Sequence, residues 1–329
     1  MSNALVTIIV PCYNMSKTLP RYFNSVLNQS YKNIQVLAID DGSVDNTREI
    51  ILKYQPLFCE EGMELKYIYQ QNEGLGAAIN TGLKYIAGEF LCWSDPDDFY
   101  FPESIKKRIE ILQDNPEYGV VSSDAYVYYA DDLIHPIKRE AARFEHRFEK
   151  NQFEYLLYEQ SHFCAGCHMI RMSAFNDVNP EHEIYPAKRG QNWQLLLPVY
   201  YKYSRYYLDE PLYAYIVSPN SMSKGDITER RELARWDEHE KIIEETLGSM
   251  QISKEKKDNY LKSIAMRYAK KRFYTAIDYR DFKLLKTQYS ILKINGALDQ
   301  ELINRYRQNH SILSKILYKI FGKYMLVDN

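Results

Sequence analysis

With 329 residues and 39.0 kDa, the chain exceeds the roughly 250 residues at which single cores stop growing, which favours one large domain with an appendage and excludes a miniprotein. Its 45% hydrophobic and 26% charged residues are those of an ordinary globular protein, and the formal net charge of -2 gives no reason to expect a nucleic-acid partner. The charge is unevenly spread: from Ser253 onward 17 Lys and Arg face 7 Asp and Glu, so the tail is basic and the rest acidic.

No stretch reaches the roughly 20 apolar residues of a membrane helix, and Met1 to Thr7 lacks the pattern of a secretion signal, so a cytoplasmic protein is expected. The five cysteines are an odd number and are expected to be free thiols. Cys164-Ala165-Gly166-Cys167-His168 has the spacing of a haem attachment site. Without a secretion signal, or a second Cys pair to complete a zinc site, buried small residues are the better reading. The chain's 30 tyrosines suit sugar stacking, but many are expected simply to pack at the margin of a core.

In chain order, Val6 to Val10 is a β-branched run ending at Pro11, the pattern of a buried parallel strand. Ser16 to Asn28 carries apolar residues at Leu19, Tyr22, Phe23, Val26 and Leu27, one face of a helix. Ile34 to Ile39 reads as a second strand, and Asp45-Asn46-Thr47 as the cap of a helix reaching Tyr54. Leu65 to Tyr69, Gly76 to Ile86 and Glu89 to Trp93 read as strand, helix and strand. This alternation predicts an α/β fold with a mostly parallel sheet, whose ligands bind beyond the carboxyl ends of the strands. A helix at Pro102 to Asp114 and a strand at Tyr118 to Ser122 follow, then loops and helices to about Pro219. Helices are expected over 229–247, 254–277, 282–294 and 300–321, which puts the division between a main domain and a helical basic extension at residues 225 and 226.

Asp95-Pro96-Asp97, with Asp98 next to it, follows an apolar strand. Crowded carboxylates repel unless a cation compensates, so a divalent metal is one explanation and a solvated acidic turn the other. Asp40-Asp41-Gly42-Ser43 taken alone is better read as an Asp-Gly turn with helix capping.

Order and combination add more. The chain carries Pro11-Cys12-Tyr13-Asn14, then Leu27 to Tyr31, then Asp40-Asp41-Gly42-Ser43, Asn72-Glu73-Gly74, Ala77 to Gly82, Gly88-Glu89-Phe90 and Trp93 to Asp98. This series resembles the nucleotide-sugar half of the inverting family 2 glycosyltransferases, which have the GT-A fold, densely over residues 5–125 and loosely over 160–223. The resemblance implies a nucleotide-sugar half at 1–125 and an acceptor half at 126–225. It implies a UDP-sugar donor, with Pro11, Tyr13 and Asn14 shaping the base pocket, Asp41 accepting from the uracil N3–H, and Asn72 and Gly76 also on the donor side. Asp95 would lie beside the ribose, and Asp97, with Asp95, would hold Mn2+ or Mg2+ against the diphosphate. The acceptor implied is a hydroxyl of a glycan or lipid-linked glycan, within surface polysaccharide assembly. The contrasting reading is a nucleotide-sugar-binding partner of an active transferase. A nucleotidyltransferase fits less well, since the first loop lacks a Gly-rich basic segment for a triphosphate.

The acceptor side departs from the family. A Glu-Asp pair usually precedes the Trp, whereas this chain has Gln191-Asn192-Trp193, and Ser218 stands where many relatives have His. An amide is not a general base. Gln191 and Asn192 are then expected to orient the acceptor while Asp124, His168 or Glu183 serves as base, or the base is Asp177 or Glu181, or the chain is degenerate. Trp193 is the aromatic residue expected to stack on a sugar. In the tail, Lys315, Lys319 and Lys323 alternate with Ile316, Leu317, Ile320 and Phe321. That pattern suits peripheral contact of residues 310–326 with the inner membrane face, a solvated surface, or a homodimer contact.

Overall fold

Strand and helix alternate through the first third of the chain because β-branched runs alternate with segments of three-and-four apolar spacing. The computed structural model describes residues 3–218, 228–314 and 316. It opens with β1 (Val6–Cys12), α1 (Leu19–Leu27), β2 (Ile34–Asp41), α2 (Thr47–Glu60), β3 (Glu64–Gln70), α3 (Leu75–Leu83) and β4 (Phe90–Trp93). Strand β1 pairs in parallel with both β2 and β4, and β2 pairs in parallel with β3. Every residue of β2 is buried, which is why, Gln35 apart, it reads as an apolar run until its terminal aspartates.

Helix α2 continues past Tyr54, where the sequence reading ends it, and through Pro56. Proline removes one helical N–H, but Ile51, Tyr54 and Phe58 lie on one buried face, and their burial carries the helix across it.

The chain then forms β5 (Phe99–Tyr100), α4 (Ser104–Asp114), β6 (Tyr118–Tyr129), β7 (Lys138–Arg139), α5 (Phe153–Leu157), β8 (His168–Arg171), α6 (Met172–Val178), α7 (Gln191–Lys202) and β9 (Ser204–Val217). The described strands make one mixed sheet in the order β3-β2-β1-β4-β8-β6-β9-β5, with β7 beside β6. The parallel pairing of β6 with β9 is its longest ladder, and the sequence reading misses most of it. That pairing shifts register between Ser123 and Asp124 and again between Asp124 and Ala125, and β9 mixes buried and half-buried positions irregularly. No period of two survives such breaks.

Among the described residues the helices that follow are α8 (Glu229–Ser249), α9 (Lys254–Tyr279), α10 (Phe282–Ile294) and α11 (Gln300–Asn309). Residues 315 and 317–321 of the helix expected to Phe321, and residues 315 and 317–326 of the proposed membrane segment, lie outside the described residues, as do residues 219–227. The chain divides into two compact units, Met1–Pro219 with Glu245–Gln251, and Asn220–Glu244 with Ile252–Asn329. The second unit has its own core of Ala269, Phe273 and Ala276 on α9, Leu285 and Leu292 on α10, and Leu302 on α11. Arg272 of α9 pairs with Asp237 and Glu240 of α8. Among the described residues no helix is long and apolar enough to cross a membrane.

Candidate active site

The parallel register sets Cys12 opposite Asp40 and Ile9 opposite Trp93, so β1, β2 and β4 deliver their following loops to one edge of the sheet. Tyr13, 48% exposed, and Asn14 lie in the first of these loops. Asn14 adopts a left-handed backbone with φ of 55°. Its N–H donates to Ser43 Oγ at 2.9 Å, and its Oδ1 accepts from Val44 N–H at 2.9 Å, which ties the first loop to the second. Asp45 adds to that tie by accepting from the Ser16 N–H and hydroxyl and from the Thr47 N–H and hydroxyl. Burial opposes its ionisation, but these four donors outweigh burial and hold its carboxyl below the usual range.

Asp41 is 4% exposed and accepts three hydrogen bonds, from Gln70 Nε2 at 2.7 Å, Glu73 N–H at 2.9 Å and Gly74 N–H at 3.0 Å. It therefore shapes the loop that carries Asn72, which is itself exposed. An ionised carboxylate has about four acceptor positions, so one remains on Asp41 for a further donor. Gly42, with φ of 76°, lets this loop approach: a Cβ there would lie 2.8 Å from Asn72 N. Gly76 serves a similar purpose on α3, where its N–H donates to Ala187 O at 2.8 Å and a Cβ would sit 2.7 Å from Ala187 N. The 184–190 loop is held twice more, by reciprocal amide pairings of Asn80 with Ile184 and of Gln194 with Tyr185.

The three carboxylates after β4 take different roles. Asp98 is 1% exposed and accepts from Ile216 N–H at 2.7 Å, so it anchors the loop against β9. Burial, and then Asp97 and Asp95, push its carboxyl well above the ordinary value. Asp95 and Asp97 are partly buried and, among the described residues, form no ion pair. Burial and then the charge of Asp97 raise the Asp95 carboxyl to about 7, and burial raises Asp97 against the relief given by Arg21. A half-buried carboxylate whose ionisation is opposed by burial and by a neighbouring carboxylate suits a hard divalent cation. Among the described residues no three His, Cys, Asp or Glu side chains converge as a full ligand set. Mg2+ and Mn2+ commonly bind through one or two carboxylates plus phosphate oxygens, so this donor set fits such an ion with a diphosphate.

Asn192, second residue of α7, is brought to this edge by Trp93, whose Nε1–H donates to Asn192 Oδ1 at 2.5 Å. Gln191 beside it is 7% exposed. Trp193 is 5% exposed, stacks on Phe163 at 5.8 Å and donates to Leu156 O at 3.3 Å. It packs in the interior, and this corrects its expected role in stacking on a sugar.

The candidate bases fare differently. Asp124 is fully buried and accepts from Ala125 N–H, Ala141 N–H and Arg139 Nε, each at 2.7 Å, so it is a structural anchor and not a base. His168 is also fully buried, donates from Nδ1 to Cys164 O at 2.9 Å and stacks beside Trp93 at 6.0 Å; it offers no proton route to a substrate. Burial and then His162 hold it well below its ordinary pKa. Asp177 is engaged by Lys202 at 2.5 Å and Tyr203 at 2.7 Å. Glu181 and Glu183 are exposed on the turn before Ile184. Motif reading passes over Arg21, since a single basic residue on an apolar helix face carries no spacing signal, and it takes Tyr22 only as part of the buried face of α1 and Trp93 only as the start of the Trp93–Asp98 series.

This architecture is the GT-A fold of glycosyltransferases with a C-terminal helical extension. The sequence matches the family description Glycosyl transferase family 2 over residues 7–178. The chain belongs to that family. It is 33% identical over 170 residues to the uncharacterized glycosyltransferase RT0329 of Rickettsia typhi, a match covering 50% of this chain and 49% of that protein. The chain thus spans about half, or less, of the length of RT0329 and the other Rickettsia relatives it matches. Among solved structures, residues 1–349 of TarS from S. aureus in complex with UDP-GlcNAc are similar with TM-score 0.61 at 19% identity, covering 80% of this chain and 72% of that one. The mannosyltransferase PcManGT of Pyrobaculum calidifontis, in complex with GDP-Man and Mn2+, has TM-score 0.55 at 13% identity over 100% of this chain and 82% of its own.

Proposed function

We propose that the protein transfers a sugar from a UDP-sugar to a hydroxyl of a glycan or lipid-linked glycan, with inversion at the anomeric carbon, in surface polysaccharide assembly. Residues 1–225 would form the transferase domain and 226–329 its basic extension. The observation that carries the reading is the meeting of Asp41, Asp95 and Asp97 at one sheet edge with the loops of Tyr13 and Asn72. Asp41 has one acceptor position left for the N3–H of uracil, Tyr13 offers an exposed ring for the base, and Asp95 stands for the ribose. That TarS binds UDP-GlcNAc supports the choice of UDP; that PcManGT binds GDP-Man with Mn2+ supports a metal-dependent donor site.

Asp97, with Asp95, would hold Mn2+ or Mg2+. Such a cation supplies fixed positive charge for the diphosphate that departs as the sugar–phosphate bond breaks and the glycosyl centre becomes oxocarbenium-like. Asn192, its Oδ1 occupied by Trp93, turns its Nδ2 donors elsewhere, which suits holding an acceptor oxygen and not removing a proton.

The same amide favours a second reading, a nucleotide-sugar-binding partner without turnover. UDP release from UDP-sugars in Mn2+ decides between them: release that rises on adding glycan acceptors supports transfer, and UDP binding with no release under any acceptor supports the partner role. The basic residues after Ser253 suit peripheral contact with an anionic inner membrane face, and failure of the full chain to cosediment with anionic vesicles at low salt removes that part.

A further inference from the structure

An acidic loop needs support before any cation reaches it, and helix α1 provides that support through one face. Arg21, Tyr22 and Ser25 stand at i, i+1 and i+4, and each takes a different residue of the segment after β4. Tyr22 Oη shares a hydrogen bond with Ser94 Oγ at 2.6 Å. Ser25 Oγ accepts from Tyr100 N–H at 3.1 Å. Between them, Arg21 Nη2 donates to the main-chain oxygen of Asp97, and its guanidinium lies 5.7 Å from the Phe99 ring centroid.

The Asp97 contact differs in kind from the other two. It places a permanent positive charge beside a loop with three carboxylates in four positions, and it does so through the backbone, leaving the Asp97 side chain unspent. Holding the carbonyl fixes the peptide on one side of Cα and so restricts where the carboxylate can point. Arg21 Nε is buried and, among the described residues, has no hydrogen-bond partner. An arginine that keeps a buried donor unsatisfied beside an acidic loop is poorly explained by packing alone, since an apolar side chain would fill the space without that cost.

We propose that Arg21 is a positioning residue of the donor site, fixing the Asp97 main chain and offsetting the loop's negative charge so that the Asp97 carboxylate is presented to the cation and diphosphate. This rests on the donor-site reading above.

The test is calorimetry of UDP binding with and without Mn2+, with Mn2+ uptake followed independently by its electron paramagnetic resonance signal, for wild type, Arg21→Met, Arg21→Lys and Tyr22→Phe. Arg21→Met should weaken UDP binding in Mn2+ by about tenfold or more, the scale of a lost charge-assisted hydrogen bond, and leave metal-free UDP binding within about twofold. Arg21→Lys, which keeps the charge and loses the planar fork, should recover part of the loss. Tyr22→Phe should lower Tm and leave the Mn2+ dependence as in wild type. A loss of Tm in Arg21→Met with both UDP affinities falling alike, or Mn2+ dependence equal to wild type, overturns the proposal. If Arg21→Met does not fold, Arg21→Lys carries the test, and unchanged Mn2+ dependence in it overturns the proposal equally. Wild type that shows no Mn2+-dependent UDP binding overturns the donor-site reading itself, and this proposal with it.

Discussion

The indole Nε1–H of Trp93 donates to Oδ1 of Asn192 at 2.5 Å, joining the last residue of β4 to the second residue of α7 across 99 positions of sequence. An indole only donates and an amide oxygen only accepts, so this contact also fixes which way the amide faces. The segment that follows Trp93 is tied to β9 as well, with Tyr213 Oη donating to Asp95 O at 3.4 Å and Ile216 N–H to Asp98 Oδ1 at 2.7 Å.

Asn192 is therefore expected to act on the acceptor and not on the nucleotide. Asn192→Ala should lower UDP release with acceptor by roughly tenfold, the scale of a lost positioning hydrogen bond, while UDP affinity stays unchanged. Asn192→Asp keeps the bond from Trp93 but exchanges amide donors for a carboxylate, so its rate should differ from both wild type and the alanine variant. Equal turnover in all three proteins removes residue 192 from the acceptor site.

Asp97 is the carboxylate on which metal-dependent binding should rest. A thermal-shift series with UDP, GDP, CDP and dTDP should give its largest rise with UDP and Mn2+, because a ligand that binds only the folded state raises apparent stability by mass action. Asp97→Ala should abolish the Mn2+-dependent part, and stripping the metal from wild type should do the same. A shift of equal size for all four nucleotides would refute the role given to Asp41.

Gly76 tests the loop that closes the donor side. Because a Cβ there would lie 2.7 Å from Ala187 N and 2.8 Å from Ala187 O, Gly76→Ala must displace backbone. Overpacking of this kind costs about 1–3 kcal/mol. The expected result is a lower Tm together with weaker UDP binding, and a variant with wild-type values for both would show that the 184–190 loop moves freely.

The pH dependence of stability should report Asp45. Its folded carboxyl lies below its ordinary value, so the folded state binds this proton less readily than the unfolded chain does. The stabilisation is complete above the unfolded value of about 3.9 and is lost as pH falls through the lower folded value. Asp45→Asn should lose Tm relative to wild type near neutrality, and the gap should narrow below about pH 4. A gap that is constant with pH would mean that shape, and not charge, makes the contact.

Local chemistry made the donor half legible. The apolar run of β2, Gln35 apart, ends where its aspartates begin, α1 shows its buried face by spacing alone, and Pro11 closes β1 near its observed end. These are properties of neighbouring residues, which short-range sterics and burial dictate. Asp41 and Asp97 could be placed at strand ends on the same ground. The bulged pairing of β6 with β9 obeys no such rule, because each strand's pattern is broken where the other shifts register. The fates of Asp124 and Trp193 are of this second kind, since nothing beside them in sequence says that one is enclosed by Arg139 and Ala141 and the other covered by Phe163.

Sequence by itself determined the alternating α/β half, its edge of loops and the residue types that chemistry requires there. Tertiary structure decided which of those residues remain open to a ligand. It spent Asp98 on Ile216, set Arg21 against the main chain of Asp97, and turned Asn192 toward Trp93. The reason is that a side chain's hydrogen-bonding capacity is finite, and only the folded chain shows which partners from distant segments have already used it.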